Sequence, residues 1–365
     1  MFTNDDRNRW ASMRNKLMAA SERNVHNMKL VDDALFVVCL DDMSPNTLAE
    51  CSDRLLFGDG SNRWHDKFQL VVFNNGKAGN VFEHSVIDGH TTIGLWNFCC
   101  SHARDPRHPH NFHVDTHMEP LVFDWTPELK HDVEESKKRF HGFSSTLDNQ
   151  VLDYSSYGSE MVKQMKVSPD AYVQMAFQIA YYSLYGHPDS TYESANIKKF
   201  AGGRTECLRS VTSESLHLSK VWSDPLSPPA SKISAFRSAA EKHVRRAADA
   251  KEGRGVDRHL FGLKQVALQK RQRVADYEIP AFFEDPAFSK LMTSVVSTSN
   301  VSADAYELFG FGPVVGNGLG LAYSIKKDRL IFNVTAFEKQ KAEKFARQLN
   351  KTLDDIRDVL QDKKH

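Results

Sequence analysis

Histidine and hydroxyl side chains that could take part in group transfer occur in two short segments of the chain. His84 lies in FEHSVIDGH, four residues before Asp88. An imidazole titrates near neutral pH and can act as a general base, and here a strand is predicted to end at a turn. The segment STSN (297–300) groups hydroxyls and an amide that could stabilise an oxyanion. A core or surface histidine and ordinary strand-end residues are the alternatives.

Thiols offer a second kind of chemistry. Cys99 and Cys100 end the apolar run GLWNFCC, and a cysteine beside a histidine can act as a nucleophile. Adjacent cysteines on an apolar helix are more often core residues, which is the favoured interpretation. A thiol hydrolase that uses Cys99 or Cys207 stays open, and alkylation without any dependence on another substrate would identify it.

Metal and phosphate sites have weaker signals. The histidines of one Pro-containing loop do not match the spacings of zinc sites, so no metal is predicted; they are His102, His108, His110, His113 and His117. The glycine-rich stretch 310–320 is neither a Walker loop nor a dinucleotide fingerprint, and turns beside the next strand explain it better. Lys163 and Lys166 precede a long helix whose N-terminus could hold a phosphate.

Composition excludes several classes of protein. The chain has 365 residues, with 47 basic and 47 acidic side chains, and this balance argues against a protein built mainly to bind nucleic acid. No stretch approaches the roughly 20 apolar residues that cross a bilayer. The five cysteines contain no CxxC pair, and no signal peptide or other targeting signal is evident. These features predict an intracellular protein with reduced thiols.

The elements that must position these groups alternate between helices and strands. In the first part we predict helices over 5–22, 44–56 and 89–100, and strands over 34–40, 68–73, 80–85 and 118–125. Asn74-Asn75-Gly76 predicts a hairpin turn between two of the strands. Loop is predicted over 102–117, and a helix begins with Thr126 as N-cap and Pro127 at its first position.

The second part contains longer helices. They are predicted over 168–186, 227–251 and 257–273, with another after about 338 and a hairpin over 320–337. The segments STYESANIKKF and RTECLRSVT are strand-like or irregular. The pattern predicts an α/β or α+β protein, and we expect two domains, 1–126 and 127–365.

Taken together, several segments resemble the choline/carnitine acyltransferase family. The matching pieces are GDGSNRWHDK with FEHSVIDG, SPDAYVQMAFQIAYY, TYESA, GGRTECLRS, DRHLFGLK, VVSTSN and FGFGPVVGNGLGLAY. They occur in family order over essentially the whole chain. The resemblance implies the CoA-dependent acyltransferase fold, two similar α/β domains with mixed sheets flanked by helices and a tunnel between them. It also implies that one domain is incomplete, because the family has a large N-terminal portion that this chain lacks.

The resemblance assigns catalytic roles residue by residue. His84 matches the base that takes a proton from the carnitine hydroxyl or the CoA thiol, with direct acyl transfer and no acyl-enzyme. Ser299 matches the residue that stabilises the tetrahedral oxyanion. CoA or acetyl-CoA would be a co-substrate, with no permanently bound cofactor.

The resemblance also implies binding roles. The residues that match carnitine contacts are Tyr192, Ser194, Thr205, Arg258 and, beside the trimethylammonium group, Phe311; Asp88 resembles the acid that orients the arginine. Lys163, Lys166 and Asp170 match CoA contacts. Gly158-Ser159 stands where relatives have Gly-Lys, so one phosphate contact is expected to be lost. Mitochondrial or peroxisomal localisation is implied by the family alone.

Two features favour particular substrates. The retained Thr205 and Arg258 favour carnitine over choline, because the arginine can pair with the carnitine carboxylate. Phe309 stands where long-chain relatives have glycine, so its ring is expected to close the acyl pocket to all but short chains such as acetyl. The alternatives are a medium-chain carnitine acyltransferase and a truncated, inactive or regulatory remnant of one.

Overall fold

The computed structural model describes residues 1–85, 87–103 and 118–361. They divide into two compact units, Met1–Leu147 with Ala303–Tyr306, and Asp148–Ser302 with the residues from Glu307 onward. The helix that starts at Pro127 is part of the first compact unit. The two domains predicted from the sequence, 1–126 and 127–365, stay a prediction.

The first unit holds a three-stranded mixed sheet. Strand β1 (Phe36–Asp41) runs parallel to β2 (Phe68–Phe73), and β2 runs antiparallel to β3 (Ala78–Val81). The hairpin predicted at Asn74-Asn75-Gly76 is confirmed, and Gly76 takes the positive φ of 78° that such a turn requires. The helices of the unit are α1 (Arg7–Ala20), α2 (Glu22–Asp33), α3 (Leu48–Phe57), α4 (Gly89–His102) and α5 (Pro127–Ser144).

A buried ion pair ties a motif of the first unit to its sheet. The Arg63 guanidinium donates to both carboxylate oxygens of Asp41, at 2.9 and 2.8 Å, and the two side chains are 0% and 3% exposed. Breaking a buried pair leaves an uncompensated charge, which is strongly destabilising. Arg63 lies in the GDGSNRWHDK segment, so this segment has a structural task beside any functional one.

The strand predicted over 118–125 is wrong. The segment has no ladder partner among the described residues and leads directly to Thr126, the N-cap of α5. Side-chain amides of α2 take the place of a neighbouring strand: Asn24 donates to the Asp124 carbonyl at 2.9 Å and accepts from its N–H at 2.8 Å. Asn27 donates to the Val122 carbonyl at 2.9 Å. The apolar pattern could not reveal this replacement.

The second unit is built on a six-stranded mixed sheet in the order β4-β9-β8-β7-β5-β6. The strands are β4 (Asp148–Tyr154), β5 (Thr191–Asn196), β6 (Thr205–Arg209), β7 (Val296–Asn300), β8 (Leu319–Ile325) and β9 (Leu330–Ala336). The central pairs β5–β7 and β7–β8 are parallel, whereas β4–β9, β8–β9 and β5–β6 are antiparallel. The predicted hairpin of β8 and β9 is confirmed.

Helices flank this sheet. They are α6 (Ser159–Gln164), α7 (Pro169–Tyr185), α8 (Ser213–Ser223), α9 (Pro229–Lys251), α10 (Asp257–Arg273), α11 (Pro286–Met292) and α12 (Lys341–Gln361). The central helix α7 begins with Ser168 as N-cap and Pro169 at its first position, and ends at Gly186 with φ 72°. Eleven of its residues are buried, so α7 is the middle of the main core.

The observed architecture confirms a mixed α/β fold with two mixed sheets flanked by helices. Among the described helices, none combines the length and the apolar composition needed to span a bilayer.

Candidate functional site

The candidate base His84 lies in a turn of the first unit. Strand β3 ends at Val81, three residues earlier, so the prediction that a strand continues to 85 is wrong. The His84 side chain is 66% exposed, and its Nδ1 lies 3.7 Å from Oδ1 of Asp88. This separation is an ion-pair distance rather than a hydrogen bond. The Asp88 carboxylate thus lies on the Nδ1 side of the ring.

Asp88 is the N-cap of α4 and its side chain is 11% exposed. The structure therefore brings Asp88 next to His84 within the first unit. The resemblance assigned Asp88 to the arginine Arg258, which belongs to the second unit. That assignment stays a prediction.

The candidate carnitine residues of the second unit lie on neighbouring strands. Tyr192 and Ser194 are alternate residues of β5, and Ser194 pairs with Cys207 of β6. Tyr192 also pairs with Ser297 of β7. Because alternate residues of a strand share one face, Tyr192, Ser194 and Ser299 lie on the same face of the sheet. The pattern TYESA thus presents two hydroxyls to one side and Glu193 to the other.

Three side chains, from β5, β6 and α10, contact one another. The hydroxyl of Tyr192 contacts the side chains of Thr205 and Arg258. Burial raises the pKa of Tyr192, while the Arg258 charge and these contacts oppose the rise. A guanidinium with a phenol and a threonine hydroxyl offers charge and several hydrogen-bond donors to one carboxylate. The structure brings together the three residues that the resemblance assigned to the carnitine carboxylate.

Arg258 is held by its backbone while its side chain stays accessible. Its N–H donates to Oε1 of Glu206 at 3.1 Å, and the side chain is 46% exposed. Gly255 permits this contact, because a Cβ at that position would lie 2.3 Å from Cγ of Glu206. The backbone of α10 is therefore anchored to β6 immediately before the cation projects from the helix.

Ser299 lies in β7 and is half-buried. Its neighbour Thr298 points to the opposite face, where its Oγ1 donates to the Tyr192 carbonyl at 2.8 Å. One hydroxyl of the STSN segment, that of Thr298, therefore connects two strands, and the role of Ser299 at an oxyanion stays a prediction. A neutral hydroxyl of this kind can donate to a developing oxyanion.

The candidate CoA residues cluster at the N-terminus of α7. Lys163 lies in α6, Lys166 takes the left-handed conformation with φ 59°, and Asp170 lies in the first turn of α7. Both lysines are exposed. Burial raises the pKa of Asp170, but the contact with His243 and hydrogen bonds from Asn300 and Tyr323 lower it to about 2 overall.

Gly158 has a structural reason to be glycine. A Cβ there would lie 2.4 Å from the backbone nitrogen of Arg329 and 2.5 Å from the Lys327 carbonyl. The next residue, Ser159, donates its N–H to the Lys326 carbonyl at 2.8 Å. The close approach fixes the start of α6 against the β8–β9 turn, and so fixes the helix that carries Lys163.

A groove of about 510 Å³ borders Lys166. Two arginines that the sequence analysis missed, Arg237 and Arg245 of α9, also line it, together with Val167 and Val244. Arg237 donates to the Met165 carbonyl at 3.4 Å. Their positions eight residues apart on one helix follow from the helical repeat, but nothing local distinguished them from other surface cations. Cations with apolar walls suit a phosphorylated ligand.

Phe309, the candidate acyl gate, lies beside Phe311, the candidate contact of the trimethylammonium group. Phe309 and Phe311 are half-buried, with ring centroids 5.8 Å apart and planes tilted by 47°. The Phe311 carbonyl accepts from Oγ1 of Thr335 at 2.8 Å, which fixes this loop to β9. Gly310 lies against β9, where a Cβ would be 2.4 Å from Oδ1 of Asn333.

The thiol alternatives have different surroundings. Cys99 and Cys100 are exposed on α4, so the prediction that they are core residues is wrong. Cys207 is buried, and burial raises its pKa to about 12. A thiolate is therefore scarce at Cys207 at neutral pH, which disfavours it as a nucleophile. The apolar run of α4 faces outward, contrary to the usual burial of such residues.

The histidine loop is described only at its first member. His102 ends α4, its Nδ1 lies 2.8 Å from the Phe98 carbonyl oxygen, which can accept a hydrogen bond from it, and its ring stacks on the Phe98 ring. His108, His110, His113 and His117 lie outside the described residues.

Two further buried ionisable residues adjoin Asp170 and were missed. Glu193 of β5 and His243 of α9 are 7% and 3% exposed. The signal for His243 was its place on the apolar stripe of α9, seven residues after buried Phe236 and three after buried Ala240. The signal for Glu193 was its inward position in an alternating strand.

Comparison with known proteins gives matches along almost the whole chain. The family model described as choline/carnitine O-acyltransferase matches residues 1–351. Carnitine O-palmitoyltransferase 2, mitochondrial, from Homo sapiens is 33% identical over 371 residues, which is 99% of this chain and 55% of that protein. Carnitine O-acetyltransferase from Rattus norvegicus is 32% identical over 376 residues, 99% of this chain and 59% of that protein. The chain thus spans little more than half the length of these relatives.

Two solved structures show a distant likeness to the chain. The epimerization domain from the third module of tyrocidine synthetase B has a TM-score of 0.46 and 11% identity, over 91% of this chain and 82% of that chain. The wax ester synthase/diacylglycerol acyltransferase from Marinobacter aquaeolei VT8 has a TM-score of 0.41 and 10% identity, over 88% and 80%. Likeness at this level carries no argument about function.

Proposed function

Because the chain belongs to the choline/carnitine O-acyltransferase family, we propose that it carries the residues for reversible transfer of a short acyl group, acetyl above all, between CoA and carnitine. The observation that supports carnitine as the acceptor is the cluster of Tyr192, Thr205 and Arg258. A carboxylate would complement the exposed guanidinium of this cluster, and choline has no carboxylate to offer.

In the proposed reaction His84 accepts the proton of the carnitine hydroxyl at Nε2. The hydroxyl oxygen then attacks the thioester carbon, and the tetrahedral oxyanion accepts a hydrogen bond from the Ser299 hydroxyl. The carbon–sulfur bond breaks, and the CoA sulfur takes the proton back from the imidazolium. No acyl-enzyme forms, so the reaction needs no nucleophilic side chain.

The same proposal assigns CoA to the cations around the start of α7. Lys163 and Lys166 are exposed there, and the N-terminus of a helix favours phosphate. The groove with Arg237 and Arg245 lies beside Lys166 and adds two guanidinium groups. Asp170 would accept a hydrogen bond from an amide or amine of CoA.

Short-chain specificity rests on Phe309. Its ring is half-buried beside Phe311, where an alkyl tail would need open volume. The matched relatives include both an acetyltransferase and a palmitoyltransferase at similar identity, so identity does not separate the two specificities. The choice of acetyl over a longer acyl group therefore depends on the Phe309 ring alone.

The direct test is a turnover assay with the purified 365-residue chain. Acetyl-CoA with carnitine should release free thiol, whereas choline in place of carnitine and octanoyl-CoA in place of acetyl-CoA should react poorly. A folded chain that binds CoA but transfers nothing would favour the inactive remnant, and faster transfer from octanoyl-CoA would favour the medium-chain alternative. Inactivation by thiol alkylation in the absence of any carnitine requirement would favour the thiol hydrolase.

A further inference from the structure

The inner face of β5 carries a charge cluster that the proposed reaction does not use. Nε2 of His243 lies 3.2 Å from Oε2 of Glu193 and 3.6 Å from Oδ2 of Asp170. The three side chains come from α9, β5 and the first turn of α7. Only Asp170 has a place in the proposed CoA site, so the other two residues need an explanation.

Charge balance explains why the three groups occur together. Two carboxylates this close repel each other in a buried site unless a cation lies between them. Burial lowers the pKa of His243, but its contacts with Asp170 and Glu193 raise it to about 9 overall. Burial raises the pKa of Glu193 to about 7. At neutral pH the imidazole is therefore charged and faces an ionised Asp170.

The contact is an ion pair rather than a metal site. The ligand-type atoms of the three residues all lie within 4.8 Å of one another, a spacing that a cation could also use. Both carboxylates, however, already face the one imidazole nitrogen at ion-pair distances. Asn300 and Tyr323 donate to the other Asp170 oxygen, at 3.0 and 2.8 Å.

Hydrogen bonds connect this cluster to the strand of the candidate carnitine residues. The Tyr323 hydroxyl, which donates to Asp170, accepts from Nε2 of Gln174 at 3.0 Å. Gln174 also donates to Oγ1 of Thr298 at 2.9 Å, and Thr298 donates to the carbonyl of Tyr192 at 2.8 Å. The chain of contacts runs without a gap from the candidate CoA carboxylate to the backbone of β5.

We infer that His243 is a positioning residue, whose imidazolium holds the carboxylates of Asp170 and Glu193 and thereby fixes the CoA site and the carnitine strand together. Glu193 lies between Tyr192 and Ser194 in β5, so the position of its carboxylate constrains both neighbours. The inference rests on the proposed function, because it takes Asp170 as a contact of CoA. His243 itself acts through Asp170 and touches no substrate.

The test compares three variants of the 365-residue chain by calorimetric titration with CoA. His243→Gln keeps an amide donor near the position of Nε2 but removes the charge. It should weaken CoA binding about tenfold or more, because the buried carboxylate of Glu193 and the partly exposed carboxylate of Asp170 lose their charged partner. Glu193→Gln should change the dissociation constant less than threefold. The double variant E193Q/H243Q should recover most of the lost affinity, since the repelling carboxylate is gone.

Recovery in the double variant separates charge balance from packing. A packing role predicts that the double variant binds CoA no better than His243→Gln. That result, or an unchanged affinity in His243→Gln when the wild-type chain binds CoA, would overturn the inference. A wild-type chain that does not bind CoA at all would instead overturn the proposed function.

A spectroscopic measurement keeps the inference testable even if His243→Gln fails to fold. The 13C and 15N shifts of the His243 ring, recorded in the wild type at pH 8, should be those of an imidazolium. Glu193→Gln should lower the pH at which the ring loses its proton. A neutral ring at pH 8, or stoichiometric zinc bound by the wild type and lost in Glu193→Gln, would overturn the inference.

Discussion

The guanidinium of Arg209 donates two hydrogen bonds to Oδ2 of Asp257, from Nε at 3.0 Å and from Nη2 at 2.8 Å. Arg209 ends β6 and Asp257 begins α10, and the two side chains are 11% and 5% exposed. Two charge-assisted bonds from one planar group restrict both distance and angle. The contact therefore locks the first turn of α10 to the sheet, next to Arg258.

Asp257→Asn should loosen this lock. The amide keeps the shape of the side chain but loses its charge, so one or both bonds weaken. We expect the KM for carnitine to rise about tenfold, while kcat and the KM for acetyl-CoA change little. Steady-state kinetics with each substrate varied in turn measures the separation.

Asp249→Asn is the matched control for Asp257→Asn. Asp249 pairs with Arg254, but the side chains are 55% and 63% exposed, and such pairs contribute about 0–1 kcal/mol. The control should resemble the wild type. Equal increases of both KM values in Asp257→Asn would show a general loss of structure instead of displacement of Arg258.

His84→Ala tests the proposed base. Loss of a general base should lower kcat about 10²–10⁴-fold, with small changes in either KM, because the imidazole serves mainly the transition state. His90→Ala, at an exposed position in the first turn of α4, is the control. A His84→Ala variant that retains more than about a tenth of the wild-type kcat would remove His84 from the mechanism.

Arg258→Asn tests recognition of the carboxylate. The substrate would lose a charged partner, at a cost of roughly 1.5–3 kcal/mol, which corresponds to about 10- to 150-fold in the KM for carnitine. Choline should be used relatively better, and the KM for acetyl-CoA should stay near its wild-type value. Arg254→Asn, which removes an exposed arginine four residues earlier, is the control. Equal losses for carnitine and choline would mean that Arg258 acts structurally.

Phe309→Gly tests the acyl gate. If the ring closes the pocket, its removal should open an apolar channel in which each methylene contributes up to about 0.8 kcal/mol. Octanoyl has six more methylenes than acetyl, and incomplete burial leaves an expected gain of about 10- to 100-fold in kcat/KM for octanoyl-CoA relative to acetyl-CoA.

The same change should lower stability. Removing a fully buried phenylalanine ring costs about 3–5 kcal/mol, and the half-buried ring of Phe309 should cost less. Activities are therefore compared per folded molecule. Phe282→Ala, at a phenylalanine that is 54% exposed, controls for ring loss alone. An unchanged octanoyl-to-acetyl ratio would show that Phe309 is ordinary core.

The charge cluster of Asp170, Glu193 and His243 should make stability depend on pH. The raised pKa of Glu193 gives stabilisation that is complete below its ordinary value of 4.5 and is lost as the pH rises through about 7. The raised pKa of His243 gives stabilisation complete below 6.5 and lost through about 9. The lowered pKa of Asp170 acts oppositely, since its stabilisation is lost as the pH falls through about 2. Tyr323 stays neutral, because burial raises its pKa well above 10.0.

Urea unfolding of the wild type and of E193Q/H243Q between pH 5 and 9 measures this dependence. The free energy of unfolding of the wild type should fall relative to the double variant as the pH rises, by roughly 3 kcal/mol at most for either group, since one pKa unit corresponds to about 1.4 kcal/mol. Parallel curves for the two proteins would contradict the expected linkage.

Turn and cap residues in the sequence correctly predicted the elements whose ends are set by residues next to them in the chain. Asn74-Asn75-Gly76 forms its hairpin, and Ser168-Pro169 with Gly186 brackets α7, because turn and cap preferences act over a few residues. The cluster of Tyr192, Thr205 and Arg258 was assigned to the carnitine carboxylate only through the family resemblance. Spacing alone could not place Arg258 beside a strand 49 or more residues earlier.

The predictions that failed concern residues whose hydrogen-bond or ion-pair partners lie far away in the sequence. The segment 118–125 has a strand-like pattern, yet amides of Asn24 and Asn27 satisfy its backbone from a helix about 100 residues away. His243 looked like any residue of an amphipathic helix until its two carboxylates, from distant parts of the chain, were placed around it. Periodicity predicts which face of an element is buried, but it does not predict which polar groups from other parts of the chain will contact that face.

The alternation of β5 has a consequence for changes in chain length. Tyr192 and Ser194 point one way and Glu193 the other, so one residue inserted before Tyr192 would send the proposed carnitine side chains into the core and a carboxylate towards substrate. Two inserted residues would restore the parity of the faces. Whether the inserted length is odd or even therefore matters more to this strand than the identity of any single side chain.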